Sequence, residues 1–225
     1  MTIEEKVFSR KRFVQERMES FGFRRSPNGY EYVSDFMEGE FRAVLIVTDQ
    51  GSIKGKVIDK MNDDEYLPLR IESYDGAYVH SVRTAYRKFL ENVADLCCDE
   101  LPFSSDQANR ITDVILSRYS VAPDYPWGQS QYEYYGTFRH PENNKWFGLI
   151  MNVKWDTLLK NGNKESVDII NLKIDPAQEK SFYKKAGVFP GYHMNHQKWI
   201  SVTLNDQLTD DEVTAMIDAS FHITK

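Results

Sequence analysis

Cysteine is nearly absent from this 225-residue sequence, and the two that occur are neighbours, Cys97 and Cys98. A disulfide between adjacent residues is strained, and two thiols without further ligands do not complete a metal site. They read as two free thiols, one of them buried. A vicinal redox pair is the alternative, but no basic neighbour in the sequence would activate its thiolate. Long apolar runs are missing too: none approaches the roughly 18 residues needed to span a bilayer. The first residues, MTIEEKVFSRKRF, are charged and amphipathic rather than leader-like, so a soluble cytoplasmic protein is expected.

A surplus of positive charge is also lacking. The chain carries 28 Lys and Arg against 34 Asp and Glu, a formal charge of -6. Divided at Phe103, the balance is 15 against 19 before and 13 against 15 after, so neither half is basic. Binding to a polyanion would therefore have to come from a local patch. The motifs of common catalysts are absent as well: there is no Gly-x-Ser-x-Gly elbow, no phosphate-cradling Gly-Lys-Thr/Ser loop and no His-Glu-x-x-His pair. A non-enzymatic protein without a cofactor is the resulting expectation. Asp210 and Asp211 need no catalytic role, because they fall in the first turn of a helix, where acids complement the macrodipole.

Packing material, in contrast, is plentiful. Hydrophobic residues make up 41% of the chain and aromatics 13%, enough for well-formed cores in two ordinary domains. Thr2 and Glu5 have capping-box spacing, and Val7, Val14, Met18 and Phe21 recur at helical intervals, predicting one helix over residues 3–20. Residues 30–37, 40–48 and 52–59 read as an antiparallel meander punctuated by Asn28-Gly29, Gly39 and Gly51. Val79, Val82, Tyr86, Phe89, Leu90, Val93 and Leu96 form the longest helical stripe. Pro102 and the capping serines at 104 and 105 mark a domain boundary, giving domains 1–103 and 104–225.

In the second domain Ala108, Ile111, Val114, Ile115 and Tyr119 continue a helical face. Strands are predicted over residues 132–139, 145–153, 167–174 and 199–204, with Asn161-Gly162 as a hairpin turn. Asp175, Pro176 and Gln178 start a helix that Gly187 stops, and Thr209 with Glu212 starts the last one. Both halves thus read as helix, strands, helix, and the fold class is α+β, each domain an antiparallel sheet with packed helices. The repeated order leaves an internal duplication open, although no residue-level self-alignment supports it.

The run Val188-Phe189-Pro190-Gly191-Tyr192-His193-Met194-Asn195-His196-Gln197-Lys198-Trp199 resembles the signature of the YjbR/MmcQ family of small bacterial α+β domains, usually labelled DNA-binding. Matching pieces stand around it in order: Lys145 to Ile150, Asn171-Leu172-Lys173 with Pro176, Leu208 to Val213, and Ile217 to Phe221. In the first half only Tyr66 to Arg70, continuing through Gly76, is familiar, as part of an extra N-terminal domain. The resemblance implies a compact antiparallel α+β domain, sometimes described as double-winged, and DNA as a partner; the acidic balance makes any such binding weak, and the lack of a spanning run argues against a membrane role.

Within the signature, Pro190-Gly191 would reverse the chain, with Gly191 available for a positive φ. A recognition surface would use His193 and Asn195 for hydrogen bonds, Lys198 for charge, and Tyr192 or Trp199 as a stacking face, with Lys145 and Lys173 projecting from the same sheet. The alternative is structural: His193 and Asn195 hold an irregular turn and Trp199 fills the core. A small-ligand or protein-interaction module, with residues 190–199 as a pocket wall, is the second functional reading. His193 and His196 lack a third ligand for zinc, and His80, His140 and His222 read as surface or partly buried histidines. Arg139, Lys154, Lys184 and Lys185 are further basic candidates. Tyr132, Glu133, Tyr134 and Tyr135 read either as a stacking platform or as half-buried strand residues.

Overall fold

A computed structural model describes residues 2–71, 73–128, 132 and 134–225. The chain divides into two compact units, Met1–Glu100 and Leu101–Lys225, each α+β with an antiparallel five-stranded sheet. The division falls a few residues before the boundary expected at Phe103.

In the first unit the order is α1 (Ile3–Val7), β1 (Lys11–Phe13), α2 (Gln15–Phe21), β2 (Arg24–Ser26), β3 (Gly29–Phe36), β4 (Phe41–Val47), β5 (Ile53–Asp59), β6 (Asp64–Glu65), α3 (Ala77–Cys97) and β7 (Cys98–Glu100). The expected single helix over residues 3–20 is two short helices. Thr2 and Glu5 do form a capping box, but the chain turns at Arg10, whose φ is 61°, and β1 then pairs with β7. Strands β2 to β6 lie in sequence order, and β4 alternates buried and half-exposed positions as a sheet covered on one face must. Val82, Tyr86, Leu90, Val93, Ala94 and Cys97 line the inner face of α3 and pack with Phe41, Leu45 and Val57.

Cys97 closes α3 and Cys98 opens β7; both are free and both are buried, where only one was expected to be. Burial pushes the Cys97 thiol up to about 11 and the Cys98 thiol up to about 12. Both should resist alkylation at neutral pH in the folded protein and react together once denaturant is added, which mass spectrometry would read directly. Rapid labelling of either thiol under native conditions would contradict this packing.

In the second unit the order is α4 (Asp106–Tyr119), β8 (Gly136–Arg139), β9 (Trp146–Lys154), α5 (Trp155–Leu159), β10 (Ser166–Lys173), α6 (Glu179–Phe182), β11 (Val188–Pro190), β12 (Trp199–Thr203) and α7 (Asp210–Thr224). Ser105 caps α4 by accepting from the Ala108 amide, and Thr209 and Glu212 make a reciprocal capping box on α7. The strands assemble as β11-β12-β10-β9-β8. One face packs Phe147, Ile150, Ile170, Leu172, Ile200 and Val202 against α4 and α7.

Three details differ from the sequence-based expectation. Asn161 and Gly162 follow the helical turn α5 instead of closing a two-residue hairpin. The helix begun at Asp175 is a 3-10 turn over Pro176–Gln178 followed by one α-turn, so Gly187, with φ 78°, admits the chain to β11 rather than ending a helix. Strand β8 starts only at Gly136, opposite Ile150; Tyr132 and Tyr134 precede it as exposed residues, and Glu133 lies outside the described residues.

Candidate nucleic-acid interface

The second face of the β8–β12 sheet carries the residues in question. Along β10, Val167, Ile169, Asn171 and Lys173 share this face by strand alternation, opposite Ile170 and Leu172. On β12 the same face receives Trp199 and Ser201, because Lys173 pairs with Trp199 and Asn171 with Ser201. In β9 the register slips beside Phe138 and Arg139, leaving Phe147 as an extra residue. That bulge puts Phe147 in the helix-side core and returns Trp146 to the other cluster, with Leu149 and Met151.

The connection between β11 and β12 crosses this face, held by a polar clamp. Ser201 Oγ donates to Asn171 Oδ1 at 2.6 Å, Asn171 Nδ2 donates to the Tyr192 carbonyl at 2.8 Å, and the Tyr192 amide donates to Ser201 Oγ at 2.8 Å. Asn171 and Ser201 are fully buried, so each bond is formed away from competing water. Gly191 adds a close approach: a Cβ there would stand 2.7 Å from Trp199 Cβ and 2.8 Å from the Trp199 carbonyl oxygen. Gly191 is therefore required by lack of room and not, as expected, by a positive φ. The left-handed residue of the loop is His193, at φ 56°.

Tyr192 and Trp199 are half-buried, while His193, Asn195 and Lys198 are exposed. The Tyr192 and His193 rings sit 4.0 Å apart. The Asn195 side chain accepts from the Gln197 amide and its carbonyl from the Lys198 amide, so this exposed residue shapes the turn. The structural and the recognition readings of the signature thus divide by residue. Gly191, the Tyr192 backbone and the inner part of Trp199 build the loop; His193 and Lys198 face outward.

Lys173 and Lys198 flank Trp199 at the end of the sheet, Lys173 as its pairing partner on β10 and Lys198 as its chain neighbour, and Lys145 immediately precedes β9. Lys173 stands over the Trp199 ring, its Nζ 5.5 Å from the centroid. Its pKa is lowered first by burial and then by the like charges of Lys145 and Lys198. Among the described residues no carboxylate forms an ion pair with any of the three, whereas Arg139 pairs with Asp124 and Lys185 with Glu212. Lys173 is also fixed from behind: its amide donates to Ser220 Oγ at 2.8 Å, and that hydroxyl donates to the Phe147 carbonyl at 2.5 Å.

Ser201 and Ser220 are the residues that sequence reasoning missed. Each is a lone hydroxyl among apolar neighbours, a signal visible in the sequence, but their partners 30 and 73 residues away are set by register and helix docking. His140, expected at or near the surface, is buried under Phe221 with ring centroids 4.3 Å apart, and its Nε2 has no hydrogen-bond partner among the described residues.

Residues 116–223 match the family model YjbR. The chain is 40% identical over 111 residues to an uncharacterised Bacillus subtilis protein, YyaQ, covering 49% of this chain and 92% of that one. A crystal structure of a Pseudomonas syringae protein is 37% identical, with a TM-score of 0.48, over 52% of this chain and 97% of that chain. A solution NMR structure, also from Pseudomonas syringae, is 35% identical with a TM-score of 0.47, over 52% and 92%.

Proposed function

The chain belongs, through its second unit, to the YjbR family, and from that premise we propose that it is a non-enzymatic cytoplasmic protein that binds nucleic acid weakly. The observation that carries this reading is Lys173 over the Trp199 ring with Lys198 beside it in the chain, where among the described residues no carboxylate forms an ion pair with either or with Lys145. Like charges held together at a cost to the folded chain are what an anion would relieve. His193, Asn195 and the Trp199 edge supply hydrogen bonds and a stacking surface beside them. With a net charge of -6 the rest of the surface repels a polyanion, so the site is small and the affinity low.

Labelled single- and double-stranded DNA titrated with the protein should show an anisotropy change that falls steeply as salt rises and is lost in Lys198→Glu. Lys198→Gln should reduce the slope of log affinity against log salt by about 0.7–0.9, the share of one phosphate contact. The same variant should keep or slightly raise the melting temperature. The sign follows from Lys173: its folded pKa lies below its unfolded value, so its charge opposes folding at neutral pH, and the opposition fades as pH rises from the depressed folded value to the ordinary lysine value. Absence of binding at low salt would overturn the nucleic-acid reading. The second reading, a small-ligand or protein-interaction module, then applies, with the outward residues of 190–199 presenting the contact.

A further inference from the structure

The other end of the same sheet holds a separate cavity. It measures about 270 Å³ and is lined by Asp168, Asn152, Ser105, Ser166 and Asn205 on its polar side and by Trp155, Val167 and Leu204 on its apolar side. Asp168 is only 2% exposed. Its carboxylate accepts from the Ser105 amide at 2.6 Å and from Asn152 Nδ2 at 2.7 Å, both uncharged donors. Among the described residues no lysine, arginine or histidine forms an ion pair with it, and none lines the cavity. A carboxylate offers about four acceptor positions, and these two bonds do not use them all. Buried acids are ordinarily paired with a cation, and the cavity stands where that cation would sit. Trp155 adds an aromatic wall, the surface that attracts organic cations over inorganic ones.

We infer that this cavity binds a small organic cation, a primary ammonium or guanidinium group, with Asp168 as its counter-charge and Trp155 as its wall. The polar rim of Asn152, Ser166 and Asn205 supplies acceptors for the remaining N–H groups of the ligand. One carboxylate is too little for a divalent metal, which requires several oxygen ligands. The site is distinct from the lysine cluster. Asp168 and Lys173 lie five positions apart on β10, about 17 Å, and alternate to opposite faces. Anion binding at one end and cation binding at the other can therefore be tested independently.

Isothermal titration of the full chain with 1,4-diaminobutane should give one saturable site with a Kd no weaker than about 1 mM. The neutral isostere 1,4-butanediol should bind at least about tenfold more weakly. Asp168→Asn, which keeps the shape of the side chain, should cost at least about tenfold in diamine affinity, with circular dichroism confirming the fold. Should that variant not fold, Trp155→Leu and the diamine-to-diol ratio of the unmodified protein decide the matter. Equal binding of diol and diamine, retention of diamine binding in Asp168→Asn, or no saturable heat would each overturn the inference.

Discussion

Glu4→Ala should destabilise the first unit by about 3 kcal/mol, because it leaves the half-buried Arg70 guanidinium without its partner. Glu4 is 2% exposed on the short helix α1, yet it is not isolated. Arg70 donates to both carboxylate oxygens at 2.7 Å, Tyr86 Oη donates to one of them at 2.6 Å, and Arg70 also donates to the Gly55 carbonyl at 2.7 Å. One ion pair thus ties α1, β5, the turn before α3 and α3 itself. Burial would raise the Glu4 pKa, but the bonds from Arg70 and Tyr86 outweigh it and hold the carboxyl below its usual range. Because the folded pKa is depressed, the contribution is present above the ordinary glutamate pKa, about 4.3, and is lost as pH falls through the folded value. The stability gap between the parent protein and Glu4→Gln should accordingly narrow in acid. Replacing both partners, as in Glu4→Leu with Arg70→Met, should recover much of the loss. All four tryptophans, at 127, 146, 155 and 199, belong to the second unit. Urea unfolding followed by far-ultraviolet circular dichroism should therefore shift in Glu4→Ala while the tryptophan transition stays in place. An unchanged dichroism transition would show that the pair contributes no net stability.

Such a network could not be read from the sequence, where Glu4 looks like one more acid in a capped first turn. What could be read was local. The meander of β3 to β5 announced itself through alternation and turn residues, α3 through its stripe, and α7 through Thr209 and Glu212. The break between α1 and α2 escaped because its cause is distant: Lys11 pairs with Glu100 and Phe13 with Cys98, and periodicity over residues 3–20 carries no trace of that partner. The candidate site divides in the same way. The signature residues drew attention by type, and Lys173 does stand over the Trp199 ring. What converts them into a surface is register, which sets Lys173 beside Trp199 and Asn171 beside Ser201. Gly191 illustrates the limit most directly. Its identity was legible, but its reason is a neighbour eight residues on, packed too close for a Cβ.

The clamp between sheet and loop carries the second large effect. Asn171→Leu should destabilise the second unit by about 2–4 kcal/mol, since it leaves the Tyr192 carbonyl without its donor and the buried Ser201 hydroxyl without its acceptor. Ser201→Ala should cost less, about 1–2 kcal/mol, because it orphans the Tyr192 amide and one side of Asn171. The two substitutions act on one triangle of bonds, so their combined cost should fall short of the sum. Here the tryptophan transition should move and the contribution of the first unit should not. A functional consequence follows from the same geometry. The loop that Asn171 anchors presents His193 and Lys198, so at a destabilisation that still leaves the chain folded, DNA affinity should drop although no charge has been removed. Lys198→Glu does the opposite, losing affinity through charge while the fold holds. If Asn171→Leu weakened the fold and left affinity intact, the lysines would bind without the loop, and the signature would serve folding alone.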